Sequence, residues 1–351
     1  MHSTLRRLFL GFALPAVALT LASASPAAAQ LRVLQTNSLG GSVHVIDPTT
    51  QSVVGEIEGV PVNHGVQASA DGERIYVSSE ALRSVMVVDT RSMEIIKTIQ
   101  VSARPNNIAL TPDGKKLYVA IIAPPGAVDV IDTERMEVVK HIPHPGGLHN
   151  IYVTPDGKYA VAGSISGDRM TVYDTSTDEE AWSWEGESIR PMAISAKPDG
   201  STDKIYIQVT GHHGFVVLDF ATHREVARVT LPEIPEAERY ESEQSSLGLY
   251  NGAPAHGLGV SPDGRTVWST SRMNSHVYVY SAYPELELLA SIPVGTDPDW
   301  VTFTPDGDFA YVANAHSNDV TAIDMHTYRP VATIPVGEGP KRNTVIQLPG
   351  C

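Results

Sequence analysis

The 351-residue chain has one cysteine, Cys351, and it is the last residue. No disulfide can therefore form within the chain, and its stability must come from packing. Basic side chains are also in short supply, 25 Lys and Arg against 40 Asp and Glu, for a net charge of −15. A surface of that sign excludes nucleic acid and anionic membranes as natural partners. Beyond the first thirty residues no apolar run approaches the roughly 20 residues needed to span a bilayer, so no membrane insertion is expected. Several catalytic signatures are absent: no Gly-x-Ser-x-Gly elbow, no Gly-x-x-x-x-Gly-Lys phosphate loop, no His-Glu-x-x-His and no Cys-x-x-Cys-His haem attachment. Their absence argues against elbow-type hydrolases, P-loop kinases, helix-borne zinc proteases and c-type cytochromes. Helical periodicity is almost missing as well.

What the sequence does contain is repetition. Short apolar runs end in Pro-Asp-Gly-like turns at Asp71, Asp113, Asp156, Asp199, Asp263 and Asp306, with a degenerate seventh at Leu348-Pro349-Gly350. The aspartates are spaced 42, 43, 43, 64 and 43 residues apart. A period in the forties built from strands and tight turns predicts β-propeller blades. One unit reads as four antiparallel strands: Val301–Thr304, Phe309–Asn314, Val320–Asp324 and Val331–Val336. An aspartate closes the third strand in six blades, at Asp47, Asp89, Asp132, Asp174, Asp219 and Asp324, with Ser281 in the remaining one. Side chains of this type bond amides in the following turn, so this ladder is read as structural. The N-terminal blade lacks a first strand, while Asn343–Leu348 is a first strand with no blade of its own. Pairing the two closes an all-β ring of seven blades and leaves no open edge. The expected organisation is a leader over 1–29 and a single propeller domain over 30–351.

Tyr311-Val312-Ala313-Asn314, Tyr118-Val119-Ala120 and Tyr76-Val77-Ser78 each follow such a turn. In these segments the chain resembles the YVTN-repeat, seven-bladed β-propellers of the lactonase-like superfamily, and the resemblance covers nearly all of the chain after the leader. It implies the fold. It leaves function open, because such propellers host hydrolases, lyases, metalloenzymes and binding proteins.

The leader reads as Arg6-Arg7, an apolar stretch from Leu8 to Ala22, and Ala27-Ala28-Ala29 before Gln30. This is a signal peptide cleaved after Ala29, which predicts a periplasmic or secreted product. Arg6-Arg7-Leu8-Phe9-Leu10 partly matches the twin-arginine export pattern. Removing the leader takes two arginines and no acids, which leaves 23 basic against 40 acidic side chains and a charge of −17.

The first strand of each blade lines the channel, so the residues just before it surround the channel mouth. Counting seven positions back from each turn gives His64, Asn106, His149, Met192, His256, Asp299 and Arg342. Loops joining second and third strands open on the same face and supply Glu80, Arg83, Asp168, Arg169, His212, His213, Arg272, His276 and His316. The one long step, 64 residues, places an inserted loop over 232–255 on this face, and it is read as a lid.

Three imidazoles in one register suggest metal binding, because neutral histidine is the commonest transition-metal ligand. The first hypothesis is accordingly a metal-dependent enzyme with redox or lyase-type chemistry on a small molecule. Its ion would be held by His64, His149 and His256, with His213 or Asp299 completing the shell. Copper is the first choice and iron or zinc the alternatives. The second is a metal-free lactonase-like hydrolase or lyase, in which a histidine such as His149 moves protons while Glu80, Arg272 and Arg342 supply a carboxylate and two anion-holding cations. The third is a non-catalytic propeller that binds a small-molecule ligand or a protein partner.

Overall fold

The computed structural model describes residues 30–235 and 253–348. The expected leader, the 236–252 part of the inserted loop and the terminal residues 349–351 lie outside the described residues. Every element in the described residues is a strand, and the 28 strands form seven sheets of four. Within six blades the strands follow chain order from the channel outward. The seventh sheet is composite, built from Pro340–Leu348, Gln30–Asn37, Ser42–Asp47 and Ser52–Ile57 in that order.

The closure predicted from the unpaired ends is therefore observed. Gln30 faces Leu348, Arg32 faces Ile346 and Leu34 faces Thr344 across an antiparallel ladder. Side chains reinforce it: the Thr36 hydroxyl donates to the Arg342 carbonyl at 2.9 Å and accepts from the Arg342 amide at 2.9 Å.

The repeat turns form because their sequence meets a specific backbone need. At Thr111–Lys116, Gly114 has φ +72°, a left-handed conformation that glycine enters without Cβ strain. Its amide donates to the Thr111 carbonyl, and the Asp113 carboxylate accepts from the Thr111 hydroxyl at 2.6 Å and from the Lys115 amide at 3.1 Å. The ladder of strand-closing acids behaves as expected. Asp89 accepts from the amides of Arg91 and Ser92, Asp324 from His326 and Thr327, and Ser281 from Glu287.

Alternation along the strands buries apolar side chains between blades rather than in one central core. Seven apolar clusters each join neighbouring blades, and the one across the closure packs Tyr311 and Val320 against Val33 and Ile46. The channel is lined by first-strand residues of both kinds, Gln67, Asn107, Arg342 and Asn343 among Val66, Ile108 and Ile151.

Candidate active site at the channel mouth

The geometry that sets the mouth is one repeated hydrogen bond. In each blade the first residue after the second strand donates its amide to a carbonyl just before the first strand: Glu80 to Val62, Ile122 to Arg104, Ile165 to Gly147, Thr210 to Ser188, Arg272 to Pro254, Ala315 to Asp297 and Ser38 to Gly339. Two residues beyond each of those carbonyls lies the inward-facing ring: His64, Asn106, His149, Arg190, His256, Asp299 and Lys341.

Five members match the sequence count and two correct it. Arg190 takes the slot expected for Met192, and Lys341 the slot expected for Arg342. In blade five the inner strand, Ile189–Ala196, is longer and its turn is tighter, with the Lys197 amide bonded to the Ser201 carbonyl four residues on where the other turns span five. In the composite blade the inner strand is nine residues long, Pro340–Leu348, and residue 349, from which the sequence count starts, lies outside the described residues. Counting from the outer hairpin therefore slips exactly where the hairpin differs, whereas the carbonyl at the mouth holds register.

These residues enclose a cavity of about 360 Å³, lined by His64, His149, His256, Glu80, Arg104, Asn106, Arg190, Arg272 and Lys341, together with Ser38 and the aliphatic Leu39, Val62, Ile122 and Ile165. His64 and His149 stand edge to face with ring centroids 6.3 Å apart, and His149 and His256 likewise at 5.6 Å. Each ring directs Nδ1 outward: His64 to Glu80 Oε1 at 2.8 Å, His149 to the Asn150 amide, and His256 to the Asp299 carbonyl at 2.9 Å. That leaves each Nε2 for the cavity.

Burial holds all three imidazoles neutral. It lowers the pKa of His64 against the opposing pull of Glu80, and it takes His149 and His256 well below the usual 6.5. Burial alone would raise Glu80, but the bond to His64 and the nearby cations bring its carboxyl below the ordinary range, so it is ionised. Asp299 is wholly buried, yet His256, Lys341, Arg272 and Arg342 around it keep it ionised far below the carboxylate range. Desolvation pulls Arg190 down to about 10, which still leaves it charged at neutral pH.

The charge balance of the mouth opposes that of the protein. Arg104, Arg190, Arg272, Lys341 and Arg342 surround the site, against three carboxylates, Glu80, Asp297 and Asp299, a surplus of two positive charges in a chain of net −15. Arg272 donates to Asp297 at 2.6 and 3.2 Å, and Lys341 to Asp299 at 3.3 Å.

The other nominated residues lie nearby but outside this cavity. Arg342 sits one step deeper, in a channel chamber of about 270 Å³, with its guanidinium 4.0 Å above the Trp300 ring and Nη2 bonded to Asn106 Oδ1 at 3.3 Å. His213 is held between blades five and six, with Nε2 2.8 Å from Ser271 Oγ and Nδ1 3.6 Å from Glu233. Asp299, the one ring member that does not line the cavity, neutralises the cations beside it. Arg190 and Lys341 are the functional side chains that the sequence count passed over, and the signal for Lys341 was its place beside Arg342.

A hydrogen bond donated from Nδ1 orients a metal-ligating histidine, and His64 and His256 face acceptors that allow it, whereas the Asn150 side-chain amide donates to His149 Nδ1 and places that ring's proton on Nε2. The surplus positive charge adds a condition, namely that an ion here would need an anionic co-ligand. Among the described residues no group of three or more His, Cys, Asp or Glu is already arranged to hold one.

Residues 125–329, more than half the chain, match the family described as lactonase, seven-bladed beta-propeller. Among curated proteins, antigen Lp49 of Leptospira interrogans is 31% identical over 172 residues, covering 49% of this chain and 31% of that protein. The chain thus spans about a third of the length of that relative. Among solved structures, the periplasmic gluconolactonase of Pseudomonas aeruginosa superposes with a TM-score of 0.71 at 19% identity, over 91% of this chain and 100% of that one. Hydrazine synthase of Kuenenia stuttgartiensis superposes with a TM-score of 0.70 at 23% identity, over 88% and 99%. At these identities the superpositions speak for the fold alone.

Proposed function

This chain belongs to the lactonase family of seven-bladed β-propellers, and from that premise we propose that its channel mouth binds a small organic anion or lactone and performs metal-free acid–base chemistry of the lactonase type. The observation that carries this reading is the His64–Glu80 pair, 2.8 Å apart, inside a cationic cavity. Ionised Glu80 accepts from Nδ1 and fixes the tautomer in which Nε2 is basic, the role of a carboxylate behind a catalytic histidine.

In hydrolysis, His64 Nε2 takes a proton from a water molecule as its oxygen attacks the lactone carbonyl. The developing oxyanion is stabilised by the positive wall of Arg190, Arg272 and Lys341, in a site where burial strengthens each charge. Collapse breaks the ring C–O bond, and the imidazolium returns its proton to the departing alkoxide to give the hydroxy acid. The same wall then holds the product carboxylate.

The edge-to-face cluster of His64, His149 and His256 favours a second reading, in which the three, once His149 shifts its proton to Nδ1, would hold copper, iron or zinc with an anion beside it. Such an ion would supply Lewis-acid or redox chemistry. Elemental analysis of purified protein, alongside a lactone-hydrolysis assay, separates the two. Hydrolysis without stoichiometric metal, abolished in His64→Gln, supports the first. One tightly held ion per chain, lost in each single histidine variant, supports the second. Export to the periplasm or medium belongs to this proposal as well, and N-terminal sequencing of the exported protein should begin at Gln30.

A further inference from the structure

We propose that the substrate joins its acid or lactone group to an aliphatic or aromatic body rather than a polyhydroxylated one. This rests on the reading of the mouth as an anion site. It comes from an asymmetry between the two halves of the cavity.

The positions directly after the second strands hold Glu80 and Arg272 on blades two and six, but isoleucines on the adjacent blades three and four, Ile122 and Ile165. Leu39 and Val62 extend this aliphatic wall across blades one and two, and all four side chains line the cavity. Leu39 is 52% and Val62 42% exposed, so this part of the wall is open to whatever enters. Arg190, Arg272 and Lys341 stand on blades five, six and one. The polar side chains on the aliphatic side, Glu80, Arg104 and Asn106, pair with His64, with one another and with Arg342. A ligand that places its anionic end on the three cations therefore has its remaining atoms directed mainly at the four aliphatic side chains, which offer no hydrogen-bonding groups. Sugar hydroxyls there would give up water without gaining a partner, at about 1–3 kcal/mol for each group left unmet, whereas carbon atoms would gain from burial.

Val62 supplies an independent observation. Its backbone is left-handed, φ +46°, which is rare for a β-branched residue and costs of order 1–3 kcal/mol. The equivalent position in the composite blade is Gly339, φ +62°, where no such cost arises. Glycine at 62 would keep the carbonyl that receives the Glu80 amide and release the strain. What it would remove is the apolar side chain at the cavity lip.

The test is calorimetric titration of the full mature protein with sodium acetate, butyrate, hexanoate, octanoate and gluconate. The dissociation constant should fall roughly fourfold for each added methylene, the gain expected from burying a CH₂ group. Hexanoate should bind at least tenfold tighter than gluconate, which has the same number of carbons. Ile122→Asn and Ile165→Asn should flatten that gradient. Val62→Gly should flatten it too while leaving the thermal midpoint unchanged or raised, a combination that a purely structural role would not give. Gluconate binding as tightly as hexanoate, or a gradient that survives these substitutions, overturns the inference and leaves the anion site standing. No binding by any carboxylate removes the anion site, and this inference with it.

Discussion

At His64 two influences oppose one another: burial makes protonation costly, while the Glu80 carboxylate 2.8 Å from Nδ1 favours it, and burial prevails. The ring is therefore a base at neutral pH and stays one into the mildly acidic range. Lactone hydrolysis should accordingly hold its rate as pH falls past 6.5 and decline only lower, where Nε2 becomes protonated. A pH–rate profile checks this. His64→Gln should lower kcat by roughly 10² to 10⁴, the usual worth of a positioned general base. Glu80→Gln should lower it less and reshape the acid limb of the profile, because it acts through His64. Asp299 plays a different part, since it compensates Arg272 and Lys341 in a buried setting. Removing its charge leaves those cations uncompensated, so Asp299→Asn should cost about 3–5 kcal/mol of stability in denaturant unfolding. It should also tighten binding of carboxylates, which would replace the missing charge.

At the scale of the strand, the site depends on register. Arg190 reaches the mouth because the blade-five inner strand is long, with an additional register shift between Ile194 and Ala196 near its hairpin, and its Nε donates to Thr210 Oγ1 at 2.8 Å. Met192 packs instead in the apolar cluster between blades four and five. Arg190→Met should therefore weaken carboxylate binding severalfold with little change in unfolding. Met192→Leu, nearly volume-conserving, should cost less than about 1.5 kcal/mol and leave binding alone. Titration calorimetry and thermal unfolding of the two variants distinguish the observed register from the one counted on the hairpin.

For the whole molecule, closure and burial set the stability. Deleting residues 343–351 removes the strand that pairs with Gln30–Asn37 and opens two sheet edges, so the protein should unfold at much lower temperature or aggregate. The histidines give stability a pH dependence of definite sign. His64, His149 and His256 have lowered pKa values in the fold, so as pH falls below about 6.5 the unfolded chain binds their protons first. Stability is thus intact above that range and lost as pH drops, by up to about 1.4 kcal/mol per pH unit for each ring. Thermal unfolding between pH 8 and 5 should show this slope, and His149→Gln should make it shallower by about one ring's share.

The sequence by itself determined the architecture: turns with a fixed period, strands that alternate, and an unpaired strand at each end leave a closed seven-bladed ring as the arrangement that satisfies every edge. It also determined that His64, His149, His256, Asn106 and Asp299 share one level of the channel, because in those blades the hairpin and the mouth are separated by the same number of residues. Tertiary structure decided the rest. Arg190 enters the ring because the blade-five inner strand is longer, and Lys341 because the strands that pair in the composite blade come from opposite ends of the chain with no hairpin between them. A count along the chain carries both forward as an error, but the amide-to-carbonyl bond at the mouth does not. Pairing of His64 with Glu80, the surplus of positive charge within an acidic protein, and the aliphatic wall opposite it all join residues from different blades. Their distances are set by ring closure and burial, which no local pattern of residues encodes.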